Sequence, residues 1–173
     1  MVSLSSIGHR AERTNPFVKL SFKTRDEVNR TFGPSVMGNF MRYSQAKLSA
    51  LLFAREWNRR IGRPGGGKVF AASVHPGVIR SNLYAYTPGG SLMLRGMLPT
   101  ADGSLSSLYV ATSAELEEED SWDVYRGDYG LKHTDSSTSR SLGHASDLWE
   151  LSEDAIKDIA STPRTPKAPA TAA

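Results

Sequence analysis

The sequence predicts an α/β protein built on a parallel sheet, and three observations carry that expectation. Extended and helical patterns alternate along the chain in the order strand, helix, strand, helix, strand, helix. The run Lys68-Val69-Phe70-Ala71-Ala72-Ser73-Val74 is almost continuously apolar, as in a strand covered on both faces. Between residues 35 or 38 and 60, Leu48, Leu51, Leu52, Arg55 and Glu56 recur at helical spacing among strong helix formers.

Taken in order, Met1-Val2-Ser3-Leu4-Ser5-Ser6 alternates like a strand already under way. Residues 7 to 23 form a polar excursion, with one short extended piece expected around Phe17-Val18-Lys19-Leu20-Ser21-Phe22. Thr24 with Glu27 three residues on is a capping box for a minor helix over residues 24 to 31, and Gly33-Pro34 closes it. The long helix ends at Gly62, Pro64 and Gly65-Gly66-Gly67. His75-Pro76-Gly77 stops the second strand, and a loop with helical pieces follows, apolar around residues 92 to 98. Pro99-Thr100 opens a helix to about Ser113, and the acidic run from Glu115 to Asp120 reads as a solvated surface. Gly127-Asp128-Tyr129-Gly130-Leu131 is the candidate third strand, and His144 or Ala145 begins a last amphipathic helix to about Ile159. Residues 1 to 160 make one domain. Residues 161 to 173, rich in Pro, Ala and Thr, are expected to be a disordered tail.

Composition narrows the classes of function. The chain has 173 residues, 39% hydrophobic and 23% charged, which suits one soluble domain. No apolar run is long enough for a membrane span. The net charge of +3 comes from scattered Lys and Arg, with no basic face interleaved with aromatics, so nucleic acid is not an expected partner. There is no cysteine, which excludes thiolate chemistry and disulfides and fits a reducing, cytoplasmic setting. The four histidines lack metal-ligand spacing, and no metal is expected.

Two motifs could carry chemistry. Gly62-Arg63-Pro64-Gly65-Gly66-Gly67-Lys68 imitates a phosphate loop, but the order is helix then strand, and Val69 stands where a hydroxyl should meet magnesium. It is read as a connector. Tyr43-Ser44-Gln45-Ala46-Lys47 places a phenol and an amine four residues apart on one helix face. An ammonium beside a phenol favours the phenolate and readies it for proton transfer. Alone the pair is weak, since a chain of this composition holds some YxxxK about one time in four. Its setting strengthens it. Ser5-Ser6 closes the strand before the helix, and His75-Pro76-Gly77-Val78-Ile79-Arg80-Ser81 closes the strand after it. Both lie at the C-terminal strand ends, where open α/β sheets bind ligands.

The paired serines, the YxxxK, and a Pro-Gly with a hydroxyl residue four positions on resemble short-chain dehydrogenases/reductases in order and spacing. Val2-Ser3-Leu4-Ser5-Ser6-Ile7-Gly8-His9 and Leu108-Tyr109-Val110-Ala111-Thr112-Ser113 are similar to the retinol-dehydrogenase-like and WW-domain-oxidoreductase-like branch, as is Leu148-Trp149-Glu150-Leu151-Ser152. The resemblance covers about residues 2 to 155. It implies the C-terminal half of a Rossmann-type, doubly wound parallel sheet of about three strands with flanking helices. It also implies an oxidoreductase interconverting alcohols and carbonyls by hydride transfer with NADP or NAD. Ser6 would bond the substrate oxygen, Tyr43 would move the proton, and Lys47 would favour the Tyr43 phenolate and hold the nicotinamide ribose. Pro76, Gly77, Ile79 and Ser81 would border the nicotinamide, Ser81 replacing the commoner threonine.

The family's TGxxxGxG turn, its NNAG segment, its NAD-or-NADP-selecting residue and its catalytic asparagine have no counterpart in these residues. The expectation is therefore a truncated chain, starting at the family's fifth strand and inactive alone. The alternative is a non-catalytic fragment that associates with full-length subunits, as a homo- or hetero-oligomer through the Tyr43/Lys47 helix. The apolar residues 92 to 98 point to a lipophilic small-molecule substrate, and core packing explains them equally well.

Overall fold

The computed structural model describes residues 1–14, 19–62, 69–80, 96–118, 125–127 and 135–161. Three parallel strands lie in chain order across one sheet: β1 (Val2–Leu4), β2 (Ala72–Val74) and β3 (Tyr125–Arg126). Val2 pairs with Ala72 and Leu4 with Val74; Ser73 pairs with Tyr125 and Val74 with Arg126. Among the described residues β1 is paired on one side only. A 3-10 helix (Ile7–Thr14) follows β1. The α-helices are α1 (Arg25–Val28), α2 (Val36–Arg60), α3 (Thr100–Thr112), α4 (Glu115–Glu118) and α5 (Leu142–Ser161).

Side chains alternate across the pleat, so each strand serves two layers. Ser3, Ala71, Ser73 and Tyr125 face α2, whose Leu51 and Ala54 join Ala71 and Tyr125 in a buried cluster. Small residues let the helix lie close to the sheet. The two hydroxyls bond each other at 2.6 Å, and Ser73 Oγ donates to the Ala50 carbonyl at 3.0 Å. On the opposite face Ala72 and Val74 pack with Val110 of α3, alongside Val2, Phe70 and Leu116. Helices therefore cover both faces, as the doubly wound expectation requires. A third cluster joins Met41, Leu48 and Leu52 of α2 to Ala145 and Leu148 of α5, with Ala11, Leu20 and Phe22 completing it.

The capping box at Thr24 is present in both directions, and Ser35 caps α2 by accepting the Gly38 N–H at 3.0 Å. Several boundaries differ from the sequence expectation. The polar excursion contains the 3-10 helix, and residues 19–22 form no strand. The ladder of β2 begins at Ala72, and just before it the Asn58 side chain holds both backbone groups of Ala71. It donates to the Ala71 carbonyl at 2.8 Å and accepts the Ala71 N–H at 2.7 Å. The strand described beside β2 is Tyr125–Arg126, ahead of the expected segment, of which residues 128–131 lie outside the described residues. Arg126 is buried there, and a charged residue inside a strand defeats a hydrophobicity reading. The last helix is longer at both ends, and its final residue, Ser161, is the first of the expected tail. Residues 162–173 and residues 63–68 of the phosphate-loop imitation lie outside the described residues. No helix among the described residues is long and apolar enough to cross a membrane.

Candidate active site

The end of β1 and the middle of α2 are fastened together by side chain and backbone. Ser5 is buried, and its hydroxyl donates to the Lys47 carbonyl at 2.8 Å while its N–H continues the ladder to the Val74 carbonyl. Lys47 Nζ reaches back and donates to the Leu4 carbonyl at 3.1 Å. Of the two consecutive serines, Ser5 is thus engaged in structure. Ser6 is half-buried, and its hydroxyl accepts the Gly8 N–H.

Ser6 and Tyr43 both flank Gly8: a Cβ placed on Gly8 would lie 3.1 Å from Tyr43 Cε1 and 3.4 Å from Ser6 Oγ. The Gly8 N–H donates to Ser6 Oγ at 3.1 Å. Tyr43 is half-buried and stacks on Phe40, centroids 6.3 Å apart. One helical turn on, the Lys47 ammonium stands over the Tyr43 ring, 5.6 Å from its centroid. Burial pushes the Lys47 ammonium below the ordinary lysine value. The structure therefore brings Ser6, Tyr43 and Lys47 into one cluster at the C-terminal edge of the sheet.

Pro76, Gly77 and Ile79 leave the sheet at the same edge, one strand over, because β1 and β2 are parallel and in register. The His75 N–H donates to the Arg126 carbonyl at 2.7 Å, closing the end of β2. Gly77 then turns with φ 88°, a conformation open to glycine and strained for other residues. Ile79 forms a parallel bridge to Leu98, and its side chain covers Gly103 of α3. Ile79 thus sits on the α3 side of the sheet, with Ser6, Tyr43 and Lys47 on the α2 side. Ser81 and residues 91–95 lie outside the described residues. Among the described residues no group of three or more His, Asp or Glu could hold a metal ion.

Sequence reasoning did not assign a role to Gly8 or His9. His9 is fully buried, its Nδ1 2.7 Å from the Ser6 carbonyl and its ring edge-on to Tyr125 at 5.0 Å. Their signals in the sequence were their place just past the serines and their part in the Val2–His9 segment of the resemblance.

No family model matches the chain. Among curated proteins it is 28% identical over 168 residues to a short-chain dehydrogenase/reductase of Aspergillus calidoustus, covering 91% of this chain and 50% of that one. It is 32% identical over 127 residues to the WW domain-containing oxidoreductase of Gallus gallus, covering 67% of this chain and 28% of that one. Among solved structures, an uncharacterized protein of Mycobacterium paratuberculosis superposes with a TM-score of 0.57 at 25% identity, covering 90% of this chain and 49% of that one. The chain spans 26 to 50% of the length of the first curated relatives it matches. The resemblance read from the residues and the Rossmann-type α/β fold are both borne out.

Proposed function

Because the chain is a relative of the short-chain dehydrogenases/reductases, we propose that it carries the acid–base cluster of an NAD(P)-dependent oxidoreductase acting on alcohols and carbonyls. The observation that carries this is the placing of Ser6 Oγ and the Tyr43 ring edge around Gly8, with the Lys47 ammonium over that ring.

The nicotinamide cofactor, when bound, supplies or accepts the hydride. The residues present suit such a ligand. Lys47 spends one of its three N–H donors on Leu4, leaving two for ribose hydroxyls. The half-buried Pro76-Gly77 turn offers a backbone edge to a flat ring, with Ile79 beside it, and the resemblance gives Ser81 the same bordering role. In carbonyl reduction the Ser6 hydroxyl donates to the substrate oxygen and holds it near the Tyr43 phenol. Tyr43 gives its proton to that oxygen as negative charge develops there, and takes a proton in the reverse direction. Lys47 steadies the phenolate left behind. The substrate is a small alcohol or carbonyl compound, lipophilic if residues 92–98 line its path. A cytoplasmic location belongs to the same proposal, resting on a chain without cysteine.

The test follows nicotinamide absorbance with NADPH or NADH and a panel of aldehydes and ketones. Tyr43→Phe keeps the ring and removes the proton donor, so turnover is expected to fall about 10²- to 10⁴-fold. Equal, measurable turnover in the variant and the parent refutes the assignment, whereas no turnover in either is what a truncated chain inactive alone would give.

A further inference from the structure

Ser6 is held at three points by the two residues Gly8 and His9. The Gly8 N–H occupies one lone pair of Ser6 Oγ at 3.1 Å. The Ser6 carbonyl accepts the His9 N–H at 2.9 Å and lies 2.7 Å from His9 Nδ1. A carbonyl can only accept, so Nδ1 must carry the proton, which fixes the tautomer. The imidazole cannot swing away, since it is fully buried and edge-on to Tyr125, itself fully buried on β3. Gly8 also touches the other partner of the site, where any Cβ would press on Tyr43 Cε1 at 3.1 Å.

Resting on the oxidoreductase reading above, we propose that Gly8 and His9 are positioning residues that fix the Ser6 hydroxyl as a donor toward substrate and seat the Tyr43 ring beside it. A serine hydroxyl has one proton and two lone pairs. With the Gly8 N–H on one lone pair, the proton lies away from the backbone turn, toward the open side shared with Tyr43. The amide also polarises the hydroxyl and strengthens it as a donor. His9 adds rigidity, because two bonds to one carbonyl pin the peptide plane from which the Ser6 side chain projects. A rotamer fixed before substrate arrives needs no ordering during the reaction.

The test compares His9→Leu, which keeps bulk without a donor, and His9→Asn, whose amide nitrogen can stand in for Nδ1–H. Gly8→Ala and Tyr43→Phe are assayed beside them. We expect His9→Leu to lower kcat about tenfold or more with KM for the cofactor unchanged, and His9→Asn to recover most of that loss at similar thermal stability. Gly8→Ala is expected to lower kcat in the same way. Equal rates in His9→Leu and His9→Asn, whether both intact or both reduced, overturn the role. If His9→Leu does not fold, two measurements remain decisive: the Gly8→Ala rate and the nitrogen NMR shifts of the parent imidazole. A ring protonated at Nε2 in place of Nδ1 overturns the clamp. Turnover lost in Tyr43→Phe but intact in the Gly8 and His9 variants sinks the clamp alone. Where the parent does not turn over, as expected of a truncated chain, the nitrogen shifts of its imidazole decide the clamp; turnover indifferent to Tyr43→Phe sinks the oxidoreductase reading and the clamp with it.

Discussion

Replacing Asn58 by alanine should destabilise the fold more than any change at an exposed position of the same helix. Asn58 and Ala71 are both buried, and the asparagine amide spans both backbone groups of Ala71 at 2.7 and 2.8 Å. Alanine at 58 leaves one N–H and one C=O without partners in the layer between α2 and the sheet. Each orphaned buried group costs about 1–3 kcal/mol. Water entering the vacated volume offsets part of this, giving about 2–4 kcal/mol in total. With an m-value of about 2 kcal/mol/M, the urea midpoint followed by circular dichroism should fall by about 1–2 M, with the slope unchanged. Asn58→Asp is the control. It keeps an acceptor for the Ala71 N–H but turns a carboxylate oxygen toward the carbonyl, and should be at least as damaging at neutral pH. A loss below about 0.5 kcal/mol in the alanine variant would refute the reasoning, because an ordinary surface substitution does as much.

Three further outcomes are expected. The fully buried Glu56 carboxylate is held below the usual carboxylate range by the hydrogen bond from Arg59, helped by Arg60, so its contribution is present above pH 4.5 and lost as pH falls through its folded value. Acid titration of stability should lose that component in Glu56→Gln. For Lys47 the sign is opposite to an ion-paired lysine: burial lowers its folded value, the unfolded chain binds the proton more tightly, and stability rises with pH from the folded value up to 10.5. Lys47→Met should remove that slope without lowering stability at neutral pH, while turnover collapses. In Gly103→Ala the new methyl would press on Ile79 Cδ1 and lie 2.6 Å from its Cγ1, so Ile79 must move. A loss of about 1–3 kcal/mol is expected by urea titration, with weaker NAD(P)H binding by fluorescence; unchanged values of both would count against a role for the Ile79 segment.

Much of the architecture was legible because it rests on local rules. The Thr24 capping box and the start of α2 at Ser35 follow from side chains bonding backbone within one turn. Tyr43 and Lys47 had to share a face once the helix was assigned, since four residues make about one turn. What was missed depends on partners distant in sequence. Asn58 looks like a polar surface residue, yet it is buried and bonds both backbone groups of Ala71, 13 residues on. Tyr125-Arg126 carries no apolar run, and only its place beside β2 makes it a strand.

The sequence by itself determined which groups are available: two serines at a strand end, a phenol and an amine one helical turn apart, and a Pro-Gly turn after the next strand. Tertiary structure decided how they are divided. Ser5, the last residue on the ladder, turns its hydroxyl to the Lys47 carbonyl, while Ser6, already entering the 3-10 turn, holds its hydroxyl against the Gly8 N–H. It also decided that Gly8 and His9 belong with them. The bond from His9 to the Ser6 carbonyl spans one turn, but the packing of its ring on Tyr125 and the approach of Gly8 to Tyr43 across 35 residues are relations between elements, which no local pattern encodes.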